Sequence, residues 1–129
     1  MAFPRLLVID DEPALADYVA KAADLCGYLP VVTGNDQQFR DEFLATRPNM
    51  VALDLGMPGM DGVELLRFLA EQEFSDPVLI ISGFDRRILE SAFRLGNALG
   101  LQMVGPVEKP ARLEQLEEIL NELKPTLVP

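Results

Sequence analysis

The sequence predicts an α/β fold, a doubly wound parallel sheet of five strands in (βα)5 order. Two observations carry this prediction. Short apolar runs alternate five times with longer amphipathic segments, and most of these runs are continuously apolar, as expected when helices cover both faces of a sheet. The 129 residues, 49% of them hydrophobic and 25% charged, suit a single globular domain. We place that domain at residues 1–124, with residues 125–129 as a tail or the start of a linker.

The predicted strands follow from the apolar runs. Four runs have the length of a strand, at residues 6–9, 29–32, 50–53 and 78–81. A fifth, weaker run at residues 101–107 contains Gly105-Pro106. Because proline cannot donate to a sheet ladder, we expect this strand at an edge.

The predicted helices lie between the runs. The first follows Asp11-Glu12, has Pro13 in its first turn and stops at Gly27. Within it, Cys26 falls at helical spacing with other apolar residues, which indicates core packing. Apolar residues at helical spacing also mark the other segments. The five predicted helices cover residues 13–26, 35–45, 62–73, 86–99 and 111–123.

The composition excludes several kinds of chemistry. The chain has no histidine and one cysteine, so it holds no Ser-His-Asp triad, no imidazole base, no histidine-ligated zinc and no internal disulfide. Twenty-one acidic residues against eleven basic ones give a net charge of −10, which disfavours binding to nucleic acid or to anionic membranes. The single cysteine and the lack of a signal-like start or a long apolar run predict a cytoplasmic protein.

Chemically active residues follow the predicted strands. Ligands of an open parallel sheet bind beyond the carboxyl ends of its strands. If the first strand neighbours the third, carboxylates gather there, and two of them ~5 Å apart repel by roughly 3 kcal/mol at an effective dielectric near 20. A Mg²⁺ ion would relieve that repulsion, and a lysine and a hydroxyl beside it favour a phosphoryl group. A carboxylate is also a competent nucleophile towards phosphorus. The residues concerned are Asp10, Asp11, Asp54, Ser82 and Lys109.

These residues resemble the receiver domains of two-component response regulators. The resemblance covers essentially the whole chain. It rests on Asp10-Asp11, on the segment from Asp54 to Gly62, on Ser82 and on Lys109-Pro110, each after the appropriate strand. It implies a flavodoxin-like (βα)5 sheet with strand order 2-1-3-4-5.

The resemblance also implies a function. Asp54 would accept a phosphoryl group from the phosphohistidine of a sensor histidine kinase or a phosphotransfer protein. Asp10, Asp11, Asp54 and the carbonyl of Gly56 would bind Mg²⁺. Lys109 would contact the phosphoryl group, Ser82 would close on it, and the Lys109-Pro110 bond would be cis.

The resemblance further implies the kind of protein and its partners. The domain would be a self-catalysed phosphoacceptor that dephosphorylates itself, not a turnover enzyme. It would act on an output domain or a downstream protein, with no direct contact to nucleic acid or membrane.

The chain departs from the receiver pattern in two places. Receivers usually carry an aromatic residue three positions before the lysine, and here that position is Pro106. The stretch from Ser82 to Lys109 also looks long, and it resembles receivers fused to EAL-type cyclic-di-GMP phosphodiesterase domains. Three arginines of the fourth predicted helix mark either a partner surface or a solvated face: Arg86, Arg87 and Arg94.

Other interpretations remain open. Pro106 favours a constitutive docking or scaffold receiver that signals without phosphorylation. Asp10 and Asp11 could cap the first helix, Ser82 could belong to a turn, and Lys109 could be a solvated loop residue. An aspartate-nucleophile phosphatase of the haloacid dehalogenase type carries its nucleophile on the first strand and a second acid two residues later, whereas here position 12 is Glu12 and the expected nucleophile follows the third strand. An FMN carrier would need a hydroxyl-rich loop after the first strand, which the sequence lacks.

Overall fold

The computed structural model describes residues 3–55, 62–83, 86–109 and 111–127, and strands alternate with helices throughout these ranges. Five parallel strands form one sheet in the order β2-β1-β3-β4-β5. The predicted fold class and strand order are therefore confirmed, including the edge position of the fifth strand. The strands are β1 (Arg5–Ile9), β2 (Leu29–Thr33), β3 (Met50–Leu53), β4 (Pro77–Ser82) and β5 (Gln102–Glu108).

All five predicted helices are present, with ends that differ by up to two residues from the prediction. The first helix begins at Pro13, and its N-cap is Glu12, whose side chain makes no capping hydrogen bond. It ends before Gly27, which has a φ of +83° that a residue with a side chain rarely adopts. The helices are α1 (Pro13–Leu25), α2 (Asp36–Thr46), α3 (Gly62–Glu71), α4 (Arg86–Ala98) and α5 (Leu113–Leu123).

Two hydrophobic clusters cover the two faces of the sheet. One contains buried side chains of α2, α3 and α4, including Phe39 and Phe43, together with Leu7 and Ile9 of β1. The other contains side chains of α1 and α5 together with Leu6 and Val8. Successive residues of β1 thus point to opposite clusters, as the pleat of a strand requires. This packing fixes the strand ends and hence the loops that follow them.

The central strands β3 and β4 are fully buried, whereas the edge strands are not. Every residue of β3 and β4 is buried, but Leu29 and Val32 of β2 are 48% and 40% exposed. A continuously apolar run therefore does not guarantee burial on both faces, because an edge strand has only one neighbour and an incomplete helical cover.

Strand β5 carries an irregularity at Gly105-Pro106. The pairing with β4 shifts between Leu79 and Ile81, and the Gly105-Pro106 peptide bond is cis. Gly105 has a φ of +100°, and a Cβ there would lie 3.0 Å from the carbonyl oxygen of Ile80. Only glycine fits this position, since both the backbone conformation and the space exclude a side chain.

The chain after α5 continues to pack on the domain. A short 3-10 helix, Lys124–Thr126, follows α5 directly. Leu127 comes next, is 7% exposed and belongs to the cluster formed by α1 and α5. Among the described residues, none of the helices combines the length and the apolar character that a membrane span requires.

Candidate functional site

The carboxylates lie together at the carboxyl ends of β1 and β3. Asp10 directly follows β1, and its backbone N–H donates to the carbonyl of Thr33 at 3.1 Å. Asp54 directly follows β3, and its N–H donates to the carbonyl of Ile9 at 3.1 Å. Both residues are buried, with relative exposures of 5% and 3%. Because neighbouring parallel strands end at the same edge, their first loop residues meet.

Lys109 approaches this cluster from the end of β5. Its Nζ lies 2.9 Å from Asp54 Oδ2, 3.3 Å from Glu12 Oε1 and 3.7 Å from Asp10 Oδ2. The first two are hydrogen bonds in which the ammonium donates. Its backbone N–H donates to the carbonyl of Ser82, which ties the lysine to the end of β4. Lys109 is thus a fixed part of the site and not a solvated loop residue.

Ser82 completes the group from β4. It is the last residue of the strand, not the first after it, and it is fully buried. All five side chains predicted from the sequence are therefore placed at one edge of the sheet. Gly56 and Pro110 lie outside the described residues, so the predicted carbonyl ligand and the predicted cis Lys109-Pro110 bond stay predictions.

Glu12 belongs to the same group, which the sequence prediction missed. One carboxylate oxygen from each of four residues falls in a set whose members lie within 4.8 Å of one another: Asp10, Asp11, Glu12 and Asp54. Asp10 Oδ1 also accepts a hydrogen bond from the backbone N–H of Glu12 at 2.9 Å. The direct succession of Glu12 after Asp11 was the available signal, but its side chain could equally have pointed into solvent.

The site is electrostatically unbalanced. Burial raises the pKa of Asp10, and the charge of Asp54 raises it further, against the opposing effect of the hydrogen bond from Glu12 N–H. Burial alone would lower the pKa of Lys109, but its hydrogen bond to Asp54 and the surrounding carboxylates outweigh this, so that pKa is raised. Among the described residues, the ammonium of Lys109 thus pairs with three carboxylates, and Asp11 adds a fourth to the cluster.

The donor set fits a hard divalent cation. Carboxylate oxygens are the ligands that Mg²⁺ prefers, and two of the four acids, Asp11 and Glu12, are exposed and leave room for water. A cation would also offset the excess negative charge that a single lysine leaves uncompensated. The residues present therefore suit the ion that the receiver resemblance implies.

A groove lies between α4 and β5 where receivers usually carry an aromatic side chain. It has a volume of about 490 Å³. Leu89, Phe93 and Pro106 give it apolar walls, and Arg86 and Arg94 flank it. The aromatic position is thus occupied by a ring that is part of the backbone and cannot rotate as a side chain.

Comparison with known sequences identifies relatives over nearly the whole chain. The response regulator receiver domain model matches residues 6–121. The positive alginate biosynthesis regulatory protein of Pseudomonas aeruginosa is 31% identical over 120 residues, which cover 91% of this chain and 46% of that protein. The transcriptional regulatory protein FixJ of Bradyrhizobium diazoefficiens is 29% identical over 122 residues, covering 94% of this chain and 58% of FixJ. The chain spans about half the length of these two relatives.

Solved structures agree with the sequence relatives. A response regulator from Colwellia psychrerythraea is 27% identical, with a TM-score of 0.77 over 97% of this chain and 99% of that one. The Vibrio cholerae chemotaxis protein CheY4 shares the fold, with a TM-score of 0.79 at 21% identity over 95% of this chain and 99% of that one. From the receiver match over residues 6–121, the chain belongs to the response regulator receiver domain family, which serves signal transduction in two-component systems.

Proposed function

We propose that the domain is a phosphoacceptor switch in which Asp54 takes a phosphoryl group from the phosphohistidine of a sensor kinase or a phosphotransfer protein. One observation carries the proposal. The buried Asp54 carboxylate accepts a hydrogen bond from Lys109 and lies in a cluster with three further acids at the strand ends. The donor histidine lies outside these 129 residues, which contain none.

The proposed reaction is a displacement at phosphorus. A carboxylate oxygen of Asp54 attacks the phosphorus atom, the bond from phosphorus to the imidazole nitrogen breaks, and an acyl phosphate forms on Asp54. Lys109 then donates to a phosphoryl oxygen instead of to the free carboxylate, and the Ser82 hydroxyl closes on the same group. Both side chains stabilise charge that develops during transfer.

Mg²⁺ is part of this proposal. Asp10, Asp11, Asp54 and the carbonyl of Gly56 would hold the ion, and when bound it supplies positive charge that neutralises the phosphoryl oxygens. The role of these residues is to bring oxygen ligands together at one edge of the sheet. We further propose that the same groups remove the phosphoryl group by hydrolysis, so the domain is self-catalysed and not a turnover enzyme.

The first experiment tests the acceptor residue. Purified protein is incubated with acetyl phosphate and Mg²⁺, and its intact mass is measured. We expect the mass to rise by one phosphoryl group, and to stay unchanged in Asp54→Asn or when EDTA removes the metal. Asp24→Asn, an exposed aspartate of α1, serves as the control and should be phosphorylated like the wild type. A phosphoryl group still gained by Asp54→Asn would refute the assignment.

Pro106 and the groove beside it favour a second candidate function. Without an aromatic side chain at this position, α4 and β5 would keep one arrangement, and the domain would dock a partner constitutively. Beryllofluoride with Mg²⁺, which imitates the phosphoryl group, distinguishes the candidates by NMR. Amide shifts along α4 and β5 are expected of the switch, and an unchanged spectrum of these elements would favour the docking module.

A further inference from the structure

The Lys109 ammonium makes hydrogen bonds to carboxylates of two different elements, and Asp10, which follows β1, lies farther away at 3.7 Å. Asp54, at the end of β3, accepts at 2.9 Å, and Glu12, the N-cap of α1, accepts at 3.3 Å. The two acceptors differ in environment, because the side chain of Asp54 is 3% exposed and that of Glu12 is 64% exposed. One lysine therefore joins the start of α1 to the ends of β3 and β5.

The contact to Glu12 is the weaker of the two. Ion pairs with an exposed partner stabilise proteins little, since water screens the attraction. A phosphoryl group carries about −1.5 to −2 charges and three acceptor oxygens, more than the single charge of a carboxylate. Phosphorylation of Asp54 would thus increase the attraction on the buried side of Lys109 and leave the attraction of Glu12 unchanged.

We propose that Glu12 is a positioning residue that holds Lys109 across the mouth of the site in the unphosphorylated domain and releases it when Asp54 is phosphorylated. The release step depends on the proposed function of Asp54. The holding step does not, because it concerns a contact that exists without a phosphoryl group.

Release of Lys109 from Glu12 would change the groove that lies beside the site. Glu12 and Lys109 both line an open groove of about 690 Å³ between α1 and the chain that follows β5, together with Ala14, Tyr18 and Ala111. The hydrogen bond between Lys109 and Glu12 connects the two sides of this groove. Loss of this hydrogen bond would change the groove and the start of α1. The change does not require an aromatic side chain at position 106, so Pro106 would not prevent it.

The first arm of the test examines the holding step without phosphodonor or metal. The chain has three lysines, at positions 21, 109 and 124, so the side-chain resonances of isotope-labelled lysine are readily assigned. Glu12→Gln should shift the Lys109 side-chain resonances and leave those of Lys21 and Lys124 in place. Glu118→Gln, at an exposed position of α5, is the matched control and should shift none of the three. Unchanged Lys109 resonances in Glu12→Gln would overturn the proposal.

The second arm examines release. After acetyl phosphate and Mg²⁺ are added, we expect amide shifts at Ala14, Tyr18 and Ala111 in the wild type. In Glu12→Gln the link is already lost, so these shifts should fall to about half or less, as for coupled sites in a double-mutant cycle. Equal shifts in both proteins would overturn the release step. Intact mass is measured in parallel for both proteins, and their shifts are compared at equal fractions of phosphorylated protein. Absence of a phosphoryl group in the wild type refutes the proposed function and the release step with it, while the first arm still decides the holding step.

Discussion

At the scale of single residues, the site contains a buried carboxylate, Asp10, whose environment favours the neutral form over the charged one. Burial raises the pKa of Asp10 above its usual value of 3.8, so the native state favours the protonated carboxyl. When folding raises the pKa of an acid, its ionisation lowers the free energy of unfolding. This loss is absent below the unfolded-state pKa and complete above the folded-state pKa. At neutral pH the ionised Asp10 therefore destabilises the metal-free domain, a pattern typical of residues selected for function.

Asp10→Asn should separate these two effects. Asparagine keeps the oxygen that accepts from Glu12 N–H and removes the buried charge. We expect the metal-free protein to gain roughly 1 kcal/mol in free energy of unfolding. Saturating Mg²⁺ should stabilise the wild type and have much less effect on the variant, because a ligand of the ion is lost.

Urea unfolding at pH 7, with EDTA and with Mg²⁺, measures both effects. Asp24→Asn is the control, and its free energy of unfolding should lie within about 0.5 kcal/mol of the wild type. If Asp10→Asn instead destabilises the metal-free protein, the buried charge is compensated by its surroundings and the argument fails.

The predicted positions of site residues agree with the structure where strand ends determine them, and the roles of these residues stay predictions. Asp10 and Asp54 follow neighbouring strands directly, so the sheet itself brings them together. Glu12 was missed because its contact with Lys109 depends on the direction of a long side chain at a helix N-cap, which spacing does not fix. The assignment of Gly56 stays a prediction.

At the scale of elements, periodicity predicted the type and order of all ten main elements, whereas local packing determined their details. Apolar runs gave the strands, but the exposure of β2 depends on its edge position, which the run does not encode. The contact between α4 and β5 is another such detail. Gly96 of α4 is buried, and a Cβ built there would lie 2.6 Å from Met103 Cγ.

Gly96→Ala tests how closely α4 packs on β5. Alanine favours a helix over glycine by about 1 kcal/mol, but overpacking costs about 1–3 kcal/mol. We expect a net loss of roughly 1 kcal/mol in the wild type. In a Met103→Ala background the obstructing atoms are gone, so the same substitution should become stabilising.

A double-mutant cycle by urea unfolding gives the coupling between these two positions. The change of sign is the decisive result, since a general defect in α4 would destabilise both backgrounds alike. Equal losses with and without the Met103 side chain would show that the backbone, not this side chain, limits the approach of α4.

At the scale of the whole molecule, the segment after α5 packs on the domain in addition to the five βα units. The predicted boundary at residue 124 follows the end of the last amphipathic segment. In the structure, however, Leu127 is 7% exposed and packs in the cluster of α1 and α5. Lys124 lies over Gly27, where a Cβ would lie 3.2 Å from Lys124 Cε. The segment after α5 is therefore fastened to the C-terminal end of α1.

Leu127→Ala measures how much this segment contributes to stability. Removing a buried leucine side chain costs about 2–5 kcal/mol, and the low end applies here because the site borders the surface and can partly collapse. We expect a loss of roughly 2 kcal/mol in the free energy of unfolding, measured with urea.

Leu25→Ala is the matched control, since Leu25 ends α1 and is 71% exposed, and it should cost less than about 0.5 kcal/mol. Equal small losses would place the end of the folded unit at α5, as the sequence pattern predicted. A larger loss for Leu127→Ala would show that the folded unit extends through Leu127, because the side chain then contributes to the core formed by α1 and α5.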